Sequence, residues 1–239
     1  MTIKEENNPW FLEKEYLRNG SDFVVGVDEV GRGPLVGSVV VCAASLVARE
    51  CKWNSEERNL WASIRDSKKL SESKREILSH FIADNFILGV GKVSPETIDR
   101  INILQATFLA MKKAISDWKK NLTASKDMRI KKSSYTAIFL IDGNMTIPNM
   151  SLTQRAIEQG DNKVKCISAA SIVAKVIRDG EMISLDKKYP AYGFSRHKGY
   201  GTREHMDALR RLGPIEEHRK SFAPVKRCLE ELRSYGADV

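Results

Sequence analysis

The chain has 239 residues, 42% of them hydrophobic and 29% charged, a balance that suits one large soluble domain and excludes wholesale disorder. Lys and Arg outnumber Asp and Glu by 39 to 31, a net charge of +8, which favours a polyanionic partner. No apolar run approaches the roughly 18 residues of a membrane span, and the opening MTIKEENNPWFLEKEY has no apolar signal core, so a cytoplasmic address without membrane attachment is expected.

The elements follow in order. Residues 9 to 18 form a short helix ahead of the turn-like Asn19-Gly20-Ser21. Phe23 to Val27 is β-branched and apolar and runs into Asp28 and Glu29, which predicts a strand ending in acids. GRGP breaks the chain, and LVGSVVVCAASLV (residues 35–47) predicts a second strand beside the first. After a polar loop, Ser71 caps a helix through KREILSHFIADNF, and ILGVGKVS is a third strand. Ser94-Pro95-Glu96 starts a long helix whose Ile98, Ile101, Leu104, Phe108 and Met111 keep the helical period.

Asn121 to Ser134 is polar and rich in Lys and Ser, a surface loop. TAIFLIDG, from Thr136 to Gly143, is nearly all apolar and ends in an acid, as a buried central strand would. ISAASIVAKVIRDGEMISLDKKY is a second long helix, in which Ala169, Ala170, Ser171 and Ala174 allow close packing. TREHMDALRRLG and APVKRCLEELRSYG are the last helices, the first ending on a glycine. The fold class is therefore α/β, a mixed central sheet flanked by helices with a helical C-terminal part. Cys42, Cys51, Cys166 and Cys228 contain no CxxC pair, which argues against zinc and against a disulfide framework; Cys42 and Cys166 are assigned to the core. From Lys163 onward there are 16 Lys and Arg against 10 Asp and Glu, so the basic surplus sits late in the chain.

Four acids stand out: Asp28 and Glu29 at the end of the first strand, Asp142 at the end of the central strand, and Asp161 in the short GDNK turn. Carboxylates from separate strand ends can converge at one sheet edge, and such hard oxygen donors suit Mg2+ or Mn2+. Asp also ends strands for purely local reasons, so position alone leaves both readings open. Beside the acids stand Gly31, Arg32 and Gly33, where glycines allow backbone N–H groups near a sugar or phosphate. The spacing fits neither a P-loop nor a dinucleotide fingerprint.

Together these residues resemble the ribonuclease HII family. GVDEVGRGPLVGSVV (26–40), DSKKLS (66–71), NILQAT (102–107), LIDGN (140–144), GD (160–161), ISAASIVAKVIRD (167–179), YGFSRHKGYGT (192–202) and HRKSFAPVKR (218–227) look like its blocks in its order. The resemblance implies a ribonuclease H-like fold in which Asp28, Glu29, Asp142 and Asp161 are the catalytic, metal-binding carboxylates of a two-metal Mn2+ or Mg2+ site. It implies that Gly31, Arg32 and Gly33 sense the ribonucleotide 2′-OH and adjoining phosphates, that Tyr200 stacks on the sugar at the RNA-to-DNA step, and that Lys68 and Lys69 contact the nucleic-acid backbone. Its substrates would be RNA/DNA hybrids and duplex DNA holding a ribonucleotide, cut on the 5′ side to leave 3′-OH and 5′-phosphate ends.

On this reading residues 1–22 are an extension, 23–201 the catalytic domain and 202–239 a helical part packed on it. Asp179 is assigned to a helix-surface or salt-bridge role in preference to metal binding, and His197, His205 and His218 to phosphate contact or packing. The family usually has proline where this chain has Gly201, a departure expected to loosen the loop of Tyr200. No sliding-clamp motif is recognisable at the C-terminus, and a monomer is the expectation. Two rivals remain: a ribonuclease HIII, which would carry an N-terminal substrate-binding domain that about 22 residues cannot supply, and a nucleic-acid-binding module without catalysis, which the basic C-terminal third alone would explain.

Overall fold

The computed structural model describes residues 10–47, 53–65, 67–125 and 135–234. Cys51, Asp66 of the DSKKLS block and most of the 121–134 segment lie outside them. Two compact units divide the chain: one takes in the described residues of Met1–Val30, Val41–Gly91 and Met111–Val176, the other Gly31–Val40, Lys92–Ala110 and Ile177–Val239.

In the first unit, helix α1 (Phe11–Arg18) precedes strand β1 (Phe23–Val30). The five-stranded sheet is completed by β2 (Val39–Leu46), β3 (Phe86–Val93), β4 (Ala137–Asp142) and β5 (Thr153–Ile157), in the order β3-β2-β1-β4-β5. β1 runs parallel to β4 with Val27 opposite Ile141, and β4 runs parallel to β5 with Asp142 opposite Ile157. The inner strands are buried throughout their apolar runs, as a sheet covered on both faces requires. Against them pack Ile115, Trp118 and Leu122 of α4 (Pro95–Ala124) and Ile167, Ala169 and Ala170 of α6 (Lys165–Lys188), all fully buried or nearly so. Gly26 explains how closely α6 approaches: a Cβ there would lie 2.2 Å from the Cys166 carbonyl carbon and the Ile167 nitrogen, so only glycine lets the helix backbone rest on β1.

The second unit holds helices α7 (Phe194–His197), α8 (Arg203–Leu212) and α9 (Ala223–Ser234). Leu35, Leu209, Val225 and Cys228 form one of its cores, and Val36, Met182, Tyr192 and Phe194 another. Among the described residues, no helix is long and apolar enough to cross a membrane.

Several expectations need correcting. The polar segment before Ser71, the N-cap of helix α3 (Glu72–Asn85), holds helix α2 (Ser55–Ser63), which a capping box starts: Asn54 accepts from the Glu57 N–H, and the Glu57 carboxylate accepts from the Asn54 N–H. β5 carries the polar sequence TQRAI at one edge of the sheet, so no apolar alternation announces it. The long helix α4 is interrupted at Asn102, whose φ of 65° and ψ of 165° are not helical; its Oδ1 caps the continuation by accepting from the Gln105 N–H at 3.1 Å. The second strand begins at Val39, because residues 31–38 form a loop instead.

Candidate active site

The strand register brings the first acids together. With Val27 opposite Ile141 in a parallel pair, the next residues on each strand are Asp28 and Asp142, side by side at the carboxyl ends of β1 and β4. In an open α/β sheet this is the edge where ligands bind. Asp142 then anchors Asp161: its Oδ1 accepts from the Gly160 N–H at 2.7 Å and the Asp161 N–H at 3.4 Å. Asp161 lies in the short helix α5 (Gly160–Lys163), whose approach through Gln159 in the left-handed region (φ 54°) aims those two N–H groups.

Asp28 is buried, with only 5% of its surface exposed. Its Oδ1 accepts from the Glu29 N–H at 2.7 Å, and the Ser171 hydroxyl of α6 donates to its carboxylate. Burial raises this carboxyl well above the usual carboxylate range, and the charges of Glu29 and Asp142 push it further the same way. Since Ser171 spends its proton on Asp28, the Ser67 hydroxyl 2.9 Å away must donate to Ser171.

Ser67 opens the 3₁₀ turn Ser67–Lys69. Arg75 holds that turn by donating to the carbonyls of Ser67 and Leu70 at 3.1 and 2.6 Å. The turn sets Lys68 Nζ 3.9 Å from Asp161 Oδ2, while Lys69 Nζ donates to Asn162 Oδ1 at 2.8 Å and Asn162 in turn donates to Asp161 Oδ1 at 3.2 Å. Both lysines therefore stand beside the fourth acid, and Lys68 keeps 82% of its side chain exposed.

The donor set is all carboxylate oxygen, which fits a hard divalent cation and not zinc. A raised Asp28 pressed by two acidic neighbours is the electrostatic situation that a cation relieves. Among the described residues, no three His, Cys, Asp or Glu side chains close into a ready-made metal cage.

In the second unit, Gly31 (φ 95°), Arg32 and Gly33 form a turn with Arg32 and Gly33 exposed. The Tyr200 ring lies over Gly33: a Cβ on Gly33 would sit 3.4 Å from Tyr200 Cε1. Tyr200 is 46% exposed. Beneath the turn is Arg219, fully buried, whose guanidinium donates to the carbonyls of Gly31, Arg32, Pro34, Gly37 and Ser38 at 2.6 to 3.1 Å.

Sequence reasoning missed two of these residues. Ser171 counts as a small packing residue in the sequence, yet its hydroxyl ties Asp28 to the lysine turn. Arg219 lies in the HRKSFAPVKR block, where the sequence assigns it no role. Of the two roles expected for Asp179, the helix-surface one is corrected: the residue is 4% exposed and therefore buried. His197, His205 and His218 resolve to packing, each under a tenth exposed.

The model of the ribonuclease HII family matches residues 25–225. A ribonuclease HII of Polynucleobacter asymbioticus is 47% identical over 209 residues, covering 87% of this chain and 96% of its own. One of Vibrio vulnificus is 46% identical over 211 residues, covering 88% of this chain and 90% of its own. Among solved structures, ribonuclease H2 of Pyrococcus horikoshii superposes with a TM-score of 0.62 at 26% identity, covering 88% of this chain and 99% of that one.

Proposed function

The chain belongs to the ribonuclease HII family and is a ribonuclease H, an endonuclease for the RNA of RNA/DNA hybrids; from that premise we propose that it also nicks duplex DNA on the 5′ side of an embedded ribonucleotide. The observation that carries the catalytic half of this reading is the buried Asp28 beside Asp142, with Asp161 hung from Asp142 through the Gly160 and Asp161 backbone N–H groups.

Asp28, Glu29, Asp142 and Asp161 are the residues that would hold divalent cations, Mg2+ or Mn2+. A pair of such ions, when bound, neutralises the acids, activates water and stabilises the leaving oxygen of a phosphodiester. The protein's own part is positional. Ser171 fixes the rotamer of Asp28, and the Gly160 and Asp161 N–H groups fix Asp142, so the acids need no reorganisation when substrate arrives. Lys68 and Lys69 supply positive charge for the phosphate backbone. Arg32 and the backbone of Gly31 and Gly33 meet the 2′-OH and its neighbouring phosphates, and Tyr200, exposed above Gly33, offers a face for a sugar or base. Selection then depends on the 2′-OH and duplex shape, without reading bases.

The test is to incubate the protein with a DNA duplex containing one ribonucleotide, with and without Mg2+ or Mn2+, and to map the ends. A metal-dependent nick 5′ to the ribonucleotide, leaving 3′-OH and 5′-phosphate, is expected, and Asp28→Asn should abolish it without unfolding the protein. A nick on the 3′ side, or ordinary metal-dependent cutting by Asp28→Asn, would overturn the assignment.

A further inference from the structure

We infer that Arg219 is the positioning residue of the Gly31-Arg32-Gly33 turn: a buried guanidinium that turns the loop's carbonyls inward and thereby faces its peptide N–H groups outward, as donors for the ribonucleotide. This rests on the proposed role of that turn in sensing ribonucleotides and adds what gives the turn its shape.

A guanidinium has five N–H donors in a fixed planar fork. Arg219 places all five on the backbone of one loop. Nε donates to Gly37 O at 2.9 Å; Nη1 donates to Arg32 O and Pro34 O at 3.0 and 2.8 Å; Nη2 donates to Gly31 O and Ser38 O at 2.6 and 3.1 Å. The residue's own N–H adds Leu35 O at 2.8 Å, and a second buried arginine, Arg178, donates to Val36 O at 2.6 Å. From Gly31 to Ser38, every carbonyl but that of Gly33 is thus drawn onto an arginine.

The consequence follows from peptide geometry. In a trans peptide the carbonyl and the following N–H point in opposite directions, and the protein has no cis peptide bonds among its described residues. With the Gly31 and Arg32 carbonyls pulled towards Arg219, the N–H groups of Arg32 and Gly33 point away from it, on the exposed side of the turn. The Gly31 and Arg32 carbonyl oxygens, which would repel a phosphate and could only accept from a hydroxyl, are held off that side. A run of outward N–H groups backed by positive charge is an anion-binding concavity. Lysine could not substitute, since three donors on a point-like ammonium cannot span five carbonyls.

Arg219 is itself aimed from outside the turn. Asp99 accepts from the Lys220 and Ser221 N–H groups, each at 2.8 Å, and from the Ser221 hydroxyl at 2.6 Å, which fixes the backbone just after Arg219. Asp99 therefore belongs to the same device while standing apart from the turn.

The test compares wild type, Arg219→Lys and Asp99→Asn for equilibrium binding to two duplexes, one all-DNA and one with a single ribonucleotide, with Ca2+ replacing Mg2+ to slow cutting. Wild type should prefer the ribonucleotide duplex. Arg219→Lys should lose about tenfold of that preference and Asp99→Asn roughly two- to fivefold, both keeping their all-DNA affinity within about twofold. Should Arg219→Lys fail to fold, Asp99→Asn decides. A preference unchanged in the folded variants would overturn the role of Arg219 while leaving the nicking activity standing. Wild type that prefers the ribonucleotide yet never nicks would overturn the activity and leave Arg219 its role; no preference in wild type would overturn both.

Discussion

His205 and His218 meet nitrogen to nitrogen, Nε2 to Nε2 at 3.1 Å, deep in the second unit. Their other nitrogens settle which one donates. His205 Nδ1 faces the Tyr200 carbonyl at 3.0 Å and must carry a proton, while His218 Nδ1 accepts from the Ile215 N–H at 3.0 Å and must not. His218 Nε2 therefore donates to His205 Nε2, and both rings are neutral. Protonating either would set two donors face to face.

Stability should therefore fall in mild acid. Burial lowers His205 to about 4 and His218 to about 3, against an ordinary 6.5. Below 6.5 the unfolded chain takes up protons that the folded pair refuses, so stability is complete above that pH and is lost as pH falls towards the folded values. Two protons correspond to a slope of up to about 2.7 kcal/mol per pH unit. Urea unfolding of wild type against the double variant His205→Asn/His218→Gln should show the wild type losing ground from pH 6.5 to about pH 5. A constant difference would mean the pair titrates normally.

Glu13 has the opposite sign. It is fully buried on α1 and accepts from the Cys166 N–H at 3.0 Å at the start of α6. Among the described residues its Oε2 has no hydrogen-bond partner. Burial raises its carboxyl to about 8, so the folded state holds a proton that the unfolded chain releases above about 4.5, and stability is lost as pH rises from there to about 8. Glu13→Gln keeps the acceptor and removes the ionisation. Its melting temperature should exceed that of wild type at pH 8 by several degrees and match it near pH 5.

The central strands and the acids at their ends are legible in the sequence because burial on both faces demands unbroken apolar runs, and TAIFLIDG stops at its acid. β5 and α2 are not, since an edge strand and an exposed helix owe little to apolar periodicity. The carboxylates can be located from the sequence, but what aims them cannot: Ser171 and Ser67 share one hydrogen bond across 104 residues of chain. Arg219 is harder still. Its partners are backbone carbonyls, which every residue carries, so no side-chain pattern announces them.

Gly160 separates placement of the acids from their identity. A Cβ there would lie 2.5 Å from Ile167 Cδ1 and 3.1 Å from Asp142 Oδ1. Gly160→Ala should displace the carboxylate of Asp142 and lower kcat by about 10- to 100-fold, leaving KM for the hybrid near wild type. A raised KM with normal kcat would place the damage in substrate binding instead.

Lys68 bears on affinity more than on chemistry. With 82% of its side chain exposed beside Asp161, Lys68→Ala should weaken binding to hybrids of any sequence alike and reduce the slope of log affinity against log salt by about one. Anisotropy titrations across a range of KCl concentrations read both. An unchanged slope would remove Lys68 from the phosphate contacts.

Gly201 stands where the resemblance leads one to expect proline, and the geometry around it says what proline would do there. Thr202 N–H bonds to the Tyr200 carbonyl at 2.8 Å, closing a three-residue turn centred on Gly201. The backbone of Gly201 is not in the left-handed region, so the turn is the inverse form, with φ near the value that proline fixes. A Cβ would meet only the tip of Leu35, whose Cδ1 lies 3.3 Å away and can shift. Gly201→Pro should therefore raise stability by about 0.5 kcal/mol through the unfolded chain's lost freedom. The same stiffening acts on Tyr200, whose carbonyl is already held by both Thr202 and His205. Cleavage of a single-ribonucleotide duplex should gain relative to a long hybrid, because the ring would be held over Gly33 before substrate arrives. Equal rate changes on the two substrates would show that the glycine costs the loop no order that recognition uses.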